Sequence, residues 1–234
     1  VDMDPLMALA RQYGLTVIED ATESLGAHYK GSPVGQSGDL ACFSFNGNKV
    51  ITTGGGGMLV TNNPEWARRA KYLTTQAKDD PLEFVHGEVG YNYRLTNIQA
   101  AMGCAQLEQL SGFIEKKRQI AQAYREAFAG VPGLTVMAEA PWAQSIFWLY
   151  HVCVSPAEFG CDSRELLRAL DRDGIQTRPL WQPIHLSPAH RTAGSLACPV
   201  AEHLSRQALS LPSSVGLASA AQTRVIDALL RHRA

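Results

Sequence analysis

An amphipathic run from Pro5 to Tyr13, closed by Gly14 and followed at once by Leu15-Thr16-Val17-Ile18, most narrows what this chain can become. Asp2 and Asp4 are placed to cap a helix over that run, and the apolar residues behind it read as a buried strand. The strand finishes on Glu19-Asp20. In α/β proteins the carboxyl ends of strands are where ligands sit, so an acid at that point is a candidate for chemistry from the outset.

The pattern then repeats with variations. Tyr29 to Gly35 has hairpin chemistry, Asp39 to Phe45 and Gly57 to Thr61 read as strands, and Pro64 marks the start of a helix over Glu65 to Thr75. Gln76 to Leu95 shows no period, and a loop of that length inside a domain is usually functional or wraps a partner. Two long helices follow, Thr96 to Leu110 and Gly112 to Ala129. Past Gly130-Val131-Pro132-Gly133 the elements shorten. Strands are expected at Phe147 to Val154 and Ile175 to Arg178, with helices at Ser163 to Asp173, Val200 to Ala208 and Ser219 to Arg231. A proline-rich loop runs from Pro179 to Pro188. The reading is α/β for residues 1–130 and a smaller α+β domain for residues 131–234.

Composition removes several classes of function. Apolar residues are 45% of the 234, enough for a real core, and 21 basic residues against 22 acidic leave no global field to attract nucleic acid or an anionic membrane. No apolar run is long enough to cross a bilayer. Five cysteines, an odd number without a C-x-x-C pair, suggest neither a disulfide framework nor a zinc knuckle and fit a reducing cytoplasm. Val1 in place of Met, with an almost immediate helix and no signal-peptide layout, reads as a piece of a longer protein.

Lys49 is the lysine out of place. It lies between two strand-like runs, just before Gly54-Gly55-Gly56-Gly57, rather than on a polar helix face. A lysine used for Schiff-base chemistry must release its proton, which needs burial or a neighbouring cation; the alternative is an ordinary surface lysine. Asp20 is either the cap of the following turn or the counter-ion of a buried cation such as a protonated pyridine nitrogen. Strand alternation puts Ser44 and Asn46 on one face and Phe43 and Phe45 on the other, so a polar face leads to Lys49, and a hydroxyl and a lysine so placed can share an anion. The glycine run lets backbone approach a flat ligand or is simply a loose turn. His185 and His190 flank Pro188 without a third ligand, so no metal site is expected. Trp142, Trp148 and Trp181 read as core or interface aromatics, and Cys104 as a packing residue in a helix of small side chains.

The segments VIEDATESLGAHYKG, GDLACFSFNGNKVITTGGGGMLVT, YLTTQAKDDP, HGEVGYNYRLTNIQAAMGCAQLEQL and GIQTRPLWQPIH resemble the DegT/StrS family of PLP-dependent nucleotide-sugar aminotransferases. They look most like the branch that aminates UDP-4-keto-6-deoxy-N-acetylhexosamines for bacillosamine- or legionaminic-type sugars. The resemblance implies the type I aminotransferase fold, with part of a large domain built on a mostly parallel sheet and a C-terminal small domain. It implies pyridoxal 5'-phosphate carried on Lys49, with Asp20 on its ring nitrogen, Glu23 beside it and Ser44 on its phosphate. Asn92 would reach the phosphate from the neighbouring subunit of a homodimer, and Arg94, Arg178 and His185 would stand near the substrate. L-glutamate would donate the amino group and a nucleotide-linked keto sugar would receive it. Relatives carry a further N-terminal stretch with a phosphate loop and a ring-stacking aromatic, so this piece alone is expected to hold PLP weakly or not at all.

Two other functions compete with amination. A related branch deoxygenates sugars with PMP, but it has histidine where Lys49 stands. An aminotransferase-like module could instead serve as a PLP-binding regulator without catalysis; such sensors carry a DNA-binding domain, and no basic helix-turn-helix region occurs here.

Overall fold

The computed structural model describes residues 1–80, 82–190 and 192–233. In chain order its elements are α1 (Met3–Tyr13), β1 (Ile18–Asp20), β2 (His28–Tyr29), β3 (Ser32–Pro33), β4 (Leu40–Ser44), β5 (Gly57–Val60), α2 (Pro64–Thr74), β6 (Lys78–Asp80), β7 (Val85–His86), α3 (Asn97–Glu108), α4 (Leu110–Phe128), β8 (Leu134–Val136), β9 (Ala143–Gln144), β10 (Tyr150–Val154), α5 (Pro156–Phe159), α6 (Ser163–Arg172), β11 (Arg178–Pro179), α7 (Pro199–Gln207), β12 (Ala208–Leu211) and α8 (Ser219–Arg231). They divide into two units, one of residues 1–115 and 139–148, the other of residues 116–138 and 149–234. The division differs from the expected boundary at 130 because the C-terminal two thirds of α4 pack with the second unit. Tyr124 Oη donates to Pro212 O at 2.7 Å, and Gln222 Nε2 to Ile120 O at 2.8 Å.

In the first unit α1 ends in a left-handed Gly14, whose neighbour Leu15 donates its amide back to Ala10 O at 2.8 Å. That closure takes Leu15 out of the strand, so β1 begins at Ile18 instead of Leu15. The side chains of Asp2 and Asp4 do not cap the helix. Tyr29 Oη donates to Asp2, and Lys30 pairs with Asp4 at 2.6 Å. The main sheet has the order β1-β4-β5, with β1 and β4 parallel and β4 and β5 antiparallel. The short β2/β3 hairpin turns through Lys30 and Gly31, both at positive φ, and β9 adds to its other side.

The stretch expected to be an unstructured loop folds against α2. β6 and β7 pair antiparallel, Tyr72 Oη donates to Asp79 Oδ1 at 2.9 Å, and Arg69 forms an ion pair with Glu88. Pro81 of that stretch lies outside the described residues. Helix α2 opens as expected at Pro64, with Asn63 accepting from the Glu65 amide at 2.9 Å, and α3 opens on a capping box of Thr96 and Gln99.

The second unit is built on an antiparallel sheet of order β11-β12-β10-β8. Helix α6 packs on β11, β12 and α8, burying Leu166 and Leu170. Asp162, not Ser163, caps α6, in a box with Glu165. Ala208, expected to end a helix, opens β12 instead, and the strand expected from Ile175 to Arg178 is reduced to Arg178–Pro179. Tyr124, Phe128 and Tyr150 stack in the core at centroid distances of 5.8 and 5.0 Å.

Candidate active site around Lys49

Register decides which side chains share a face. Asp20 pairs with Cys42 in the parallel β1/β4 ladder, so alternation places Asp20, Cys42 and Ser44 on one face and Glu19, Ala41 and Phe43 on the other. The two adjacent acids therefore do different work. Glu19 receives three backbone amides, from Gly35 at 2.9 Å, Ser37 at 2.8 Å and Gly38 at 2.6 Å, and so ties the segment before β4 to β1. Asp20 accepts from the Thr22 amide at 3.2 Å and otherwise faces outward. Thr22 holds its carboxyl below the usual range, and the charge of Lys49 pulls in the same direction.

The loop between β4 and β5 is closed at its base, where Phe45 N donates to Gly56 O and Thr53 N donates to Phe45 O, both at 3.0 Å. Ile51 and Thr53 are buried beneath it, and Thr52 N reaches Gln106 of α3 at 3.4 Å. Lys49 is thus presented from an anchored loop. Its side chain is only 12% exposed, with Nζ 3.1 Å from Glu23 Oε1 and 4.3 Å from the centre of the Trp148 ring. Leu25, Val50, Ile51 and Ile146 line the cleft around it. Ser44 Oγ accepts from the Asn46 amide at 3.2 Å, which leaves its own O–H to donate.

One glycine of the run is required by the sheet. Gly57 faces Ser44 across the ladder, and a Cβ there would stand 2.5 Å from Phe43 O. Gly57 is what lets β5 lie against β4.

The structure brings Asp20, Glu23, Ser44 and Lys49 together. Asn92 is engaged elsewhere, in a bridge opposite Thr75, with Tyr91 and Tyr93 stacked at 5.1 Å on either side of it in sequence. Arg94 is exposed in the stretch before α3. Arg178 and His185 belong to the second unit, where Arg178 opens β11 exposed and His185 Nε2 lies 3.1 Å from Glu202 Oε1. Trp148, expected in a core or an interface, is instead part of the Lys49 cleft. Its nearest sequence signal is the unbroken apolar run Ile146 to Tyr150 just ahead of a strand. Among the described residues no group of three His, Cys, Asp or Glu side chains could hold a metal ion.

An outward-facing acid, a hydroxyl with a proton to give and a shielded amine lie around one strand end. These are the counterparts of a pyridinium nitrogen, a phosphate and an aldehyde, so the residues present fit pyridoxal phosphate.

The comparisons agree with this geometry. The chain is 39% identical over 236 aligned residues to EpsN of Bacillus subtilis, covering 97% of this chain and 59% of that protein. It is 38% identical over 229 residues to the GDP-perosamine synthase of Caulobacter vibrioides, covering 97% of this chain and 62% of that one. The crystal structure of S. venezuelae DesV superposes with a TM-score of 0.89 at 33% identity, over 99% of this chain and 61% of the other. The fold is therefore that of the type I aminotransferases, and the chain spans about 60% of the length of the relatives it matches. Residues 1–230 match the model of one family along their whole length, and with the lysine, acid and hydroxyl of the site in place the chain belongs to the DegT/DnrJ/EryC1/StrS aminotransferase family.

Proposed function

We infer that the whole protein is a cytoplasmic, PLP-dependent aminotransferase that moves an amino group from L-glutamate to a 4-keto-6-deoxy sugar carried on a nucleoside diphosphate. The observation that carries this is the placement of Lys49 Nζ, shielded in its cleft 3.1 Å from Glu23, close enough to Asp20 for its charge to act on that carboxyl. The relation to GDP-perosamine synthase supports a nucleotide sugar as acceptor. The UDP-linked N-acetylhexosamine branch is the reading that the sequence motifs favour.

When bound, pyridoxal phosphate supplies an electron sink for a carbanion. This chain's residues hold it and move protons around it. Asp20, kept ionised, is the partner of a protonated ring nitrogen, and Ser44 Oγ donates to a phosphate oxygen. Lys49 anchors the cofactor and, when free, is the base placed to carry a proton between the substrate carbon and the cofactor. Glu23 keeps the amine in reach by its ion pair. Asn92 and Arg94 lie on a segment with exposed aromatic side chains, Tyr91 and Tyr93, which suits a surface covered by a second copy of the chain. We assign Asn92 to the phosphate of that partner's site, and Arg94, Arg178 and His185 to the substrate.

The test is to assay the full-length protein with glutamate and UDP-, GDP- and dTDP-linked 4-keto-6-deoxy sugars. Amino sugar should form with at least one of them, and Lys49→Ala should form none. Product from the Lys49→Ala protein, or no product from any sugar, contradicts the assignment.

A further inference from the structure

Trp148 reaches the Lys49 cleft through a distortion of the chain. The apolar run Ile146 to Tyr150 could continue β10 by four residues, yet the ladder with β12 starts only at Tyr150. Phe147 sits at φ 46°, the left-handed region that a bulky side chain rarely adopts. Such a conformation persists only where its surroundings fix it, and here Ile146 and Phe147 are both buried, each only 3% exposed.

Beyond this turn the indole makes two contacts with one short segment. Its ring centre lies 4.3 Å from Lys49 Nζ, and its Nε1–H donates to Asn48 O, the carbonyl just before Lys49, at 2.8 Å. One contact meets the tip of the lysine and the other the backbone from which it springs. A ring face attracts a positive charge and has no comparable pull on an uncharged amine. Lysine is also a long, flexible side chain, so an amine that must return to one place needs something to hold it.

We propose that Trp148 is a positioning residue for Lys49: its ring face holds the side chain while the amine is free and charged, and its N–H fixes the loop that presents the amine. Glu23 Oε1, at 3.1 Å, is the second point of the same clamp. Because the attraction belongs to the charged form, the clamp releases Lys49 when the amine is neutral and ready to bond, and recovers it afterwards. This rests on the role of Lys49 proposed above, so its test is separate from any measure of turnover.

The full-length protein, stripped of cofactor, is treated briefly with acetic anhydride, and acetylation of Lys49 is followed by mass spectrometry relative to exposed Lys71. Trp148→Leu removes the ring face and should speed labelling of Lys49 about fivefold, the scale of a cation–π contact. Trp148→Phe keeps a ring face but loses the N–H and should stay within about twofold of the parent. It also guards against a folding defect, since it retains most of the ring's bulk. With an active parent, Trp148→Leu should lower kcat and leave the KM for the sugar unchanged. Equal labelling of Lys49 in the parent and Trp148→Leu overturns the clamp, as does equal acceleration in Trp148→Leu and Trp148→Phe. Failure of the parent to transaminate overturns the proposed function instead and leaves the labelling result standing.

Discussion

In the second unit all four residues of β12 are buried, and β10 alternates buried with half-buried positions. In the first unit β1 leaves Ile18 63% exposed and β5 leaves Met58 51% exposed. One unit is held by packed side chains such as Leu166, Leu170, Leu209 and Leu229. The other is held to a greater degree by directed polar contacts, such as Glu19 on three amides and the closed base of the Lys49 loop. The chemistry lies in the second kind of structure. An open strand end with fixed donors can meet a polar cofactor, whereas a dry core cannot. It follows that substitutions at the site should change chemistry with little effect on stability, and substitutions in the second unit's core should do the reverse.

The strongest challenge to that division is Lys49→Ala in the full-length protein. It should abolish amino transfer, since it removes the anchor as well as a general base whose loss alone costs roughly 10²–10⁴-fold, while the melting temperature hardly moves. Rate assays and a thermal melt on the same sample check it. Leu209→Ala, in the buried β12, should cost roughly 2–5 kcal/mol, read as lost hydrogen-exchange protection in β10 and β12 peptides with the first unit unaffected. If peptides around Lys49 open to the same extent, the units are not independent.

A pH effect sharpens the comparison further. Lys117 is buried in the second unit and donates to Ser213 O and, at 3.2 Å, to Ser213 Oγ. Burial pushes its ammonium down from 10.5 to about 8. Below that value the charge is present in both folded and unfolded chains, and burying it costs stability in full. As pH rises from about 8 to 10.5 the unfolded chain keeps a proton that the folded one releases, so stability should rise, by up to roughly 3 kcal/mol. Denaturant melts across that range should show the rise, and Lys117→Met should flatten it. The smallest expected effect is that of Gly57→Ala. Its Cβ would press on Phe43 O at 2.5 Å, costing about 1–2 kcal/mol and disturbing Ser44 across the ladder.

Local signals made part of this legible in the sequence. Asp20 stands at a strand end, Lys49 follows the polar face that alternation gives Ser44 and Asn46, and Pro64 and Thr96 open helices where expected. What stayed hidden depends on contacts distant in the chain. Ala208, read as the last residue of a helix, opens β12 instead, a strand paired by β10 and β11 on its two sides. β1 starts late because a helix cap claims Leu15. Glu23 carries no signal of its own and came from the family resemblance, while Trp148 takes its place through the backbone turn at Phe147, which no residue pattern announces.

The most direct test of the account is to load the full-length protein with pyridoxal phosphate, reduce it with borohydride and digest it. A single phosphopyridoxyl group is expected, on the peptide containing Lys49. A label on any other lysine, or none, would contradict it.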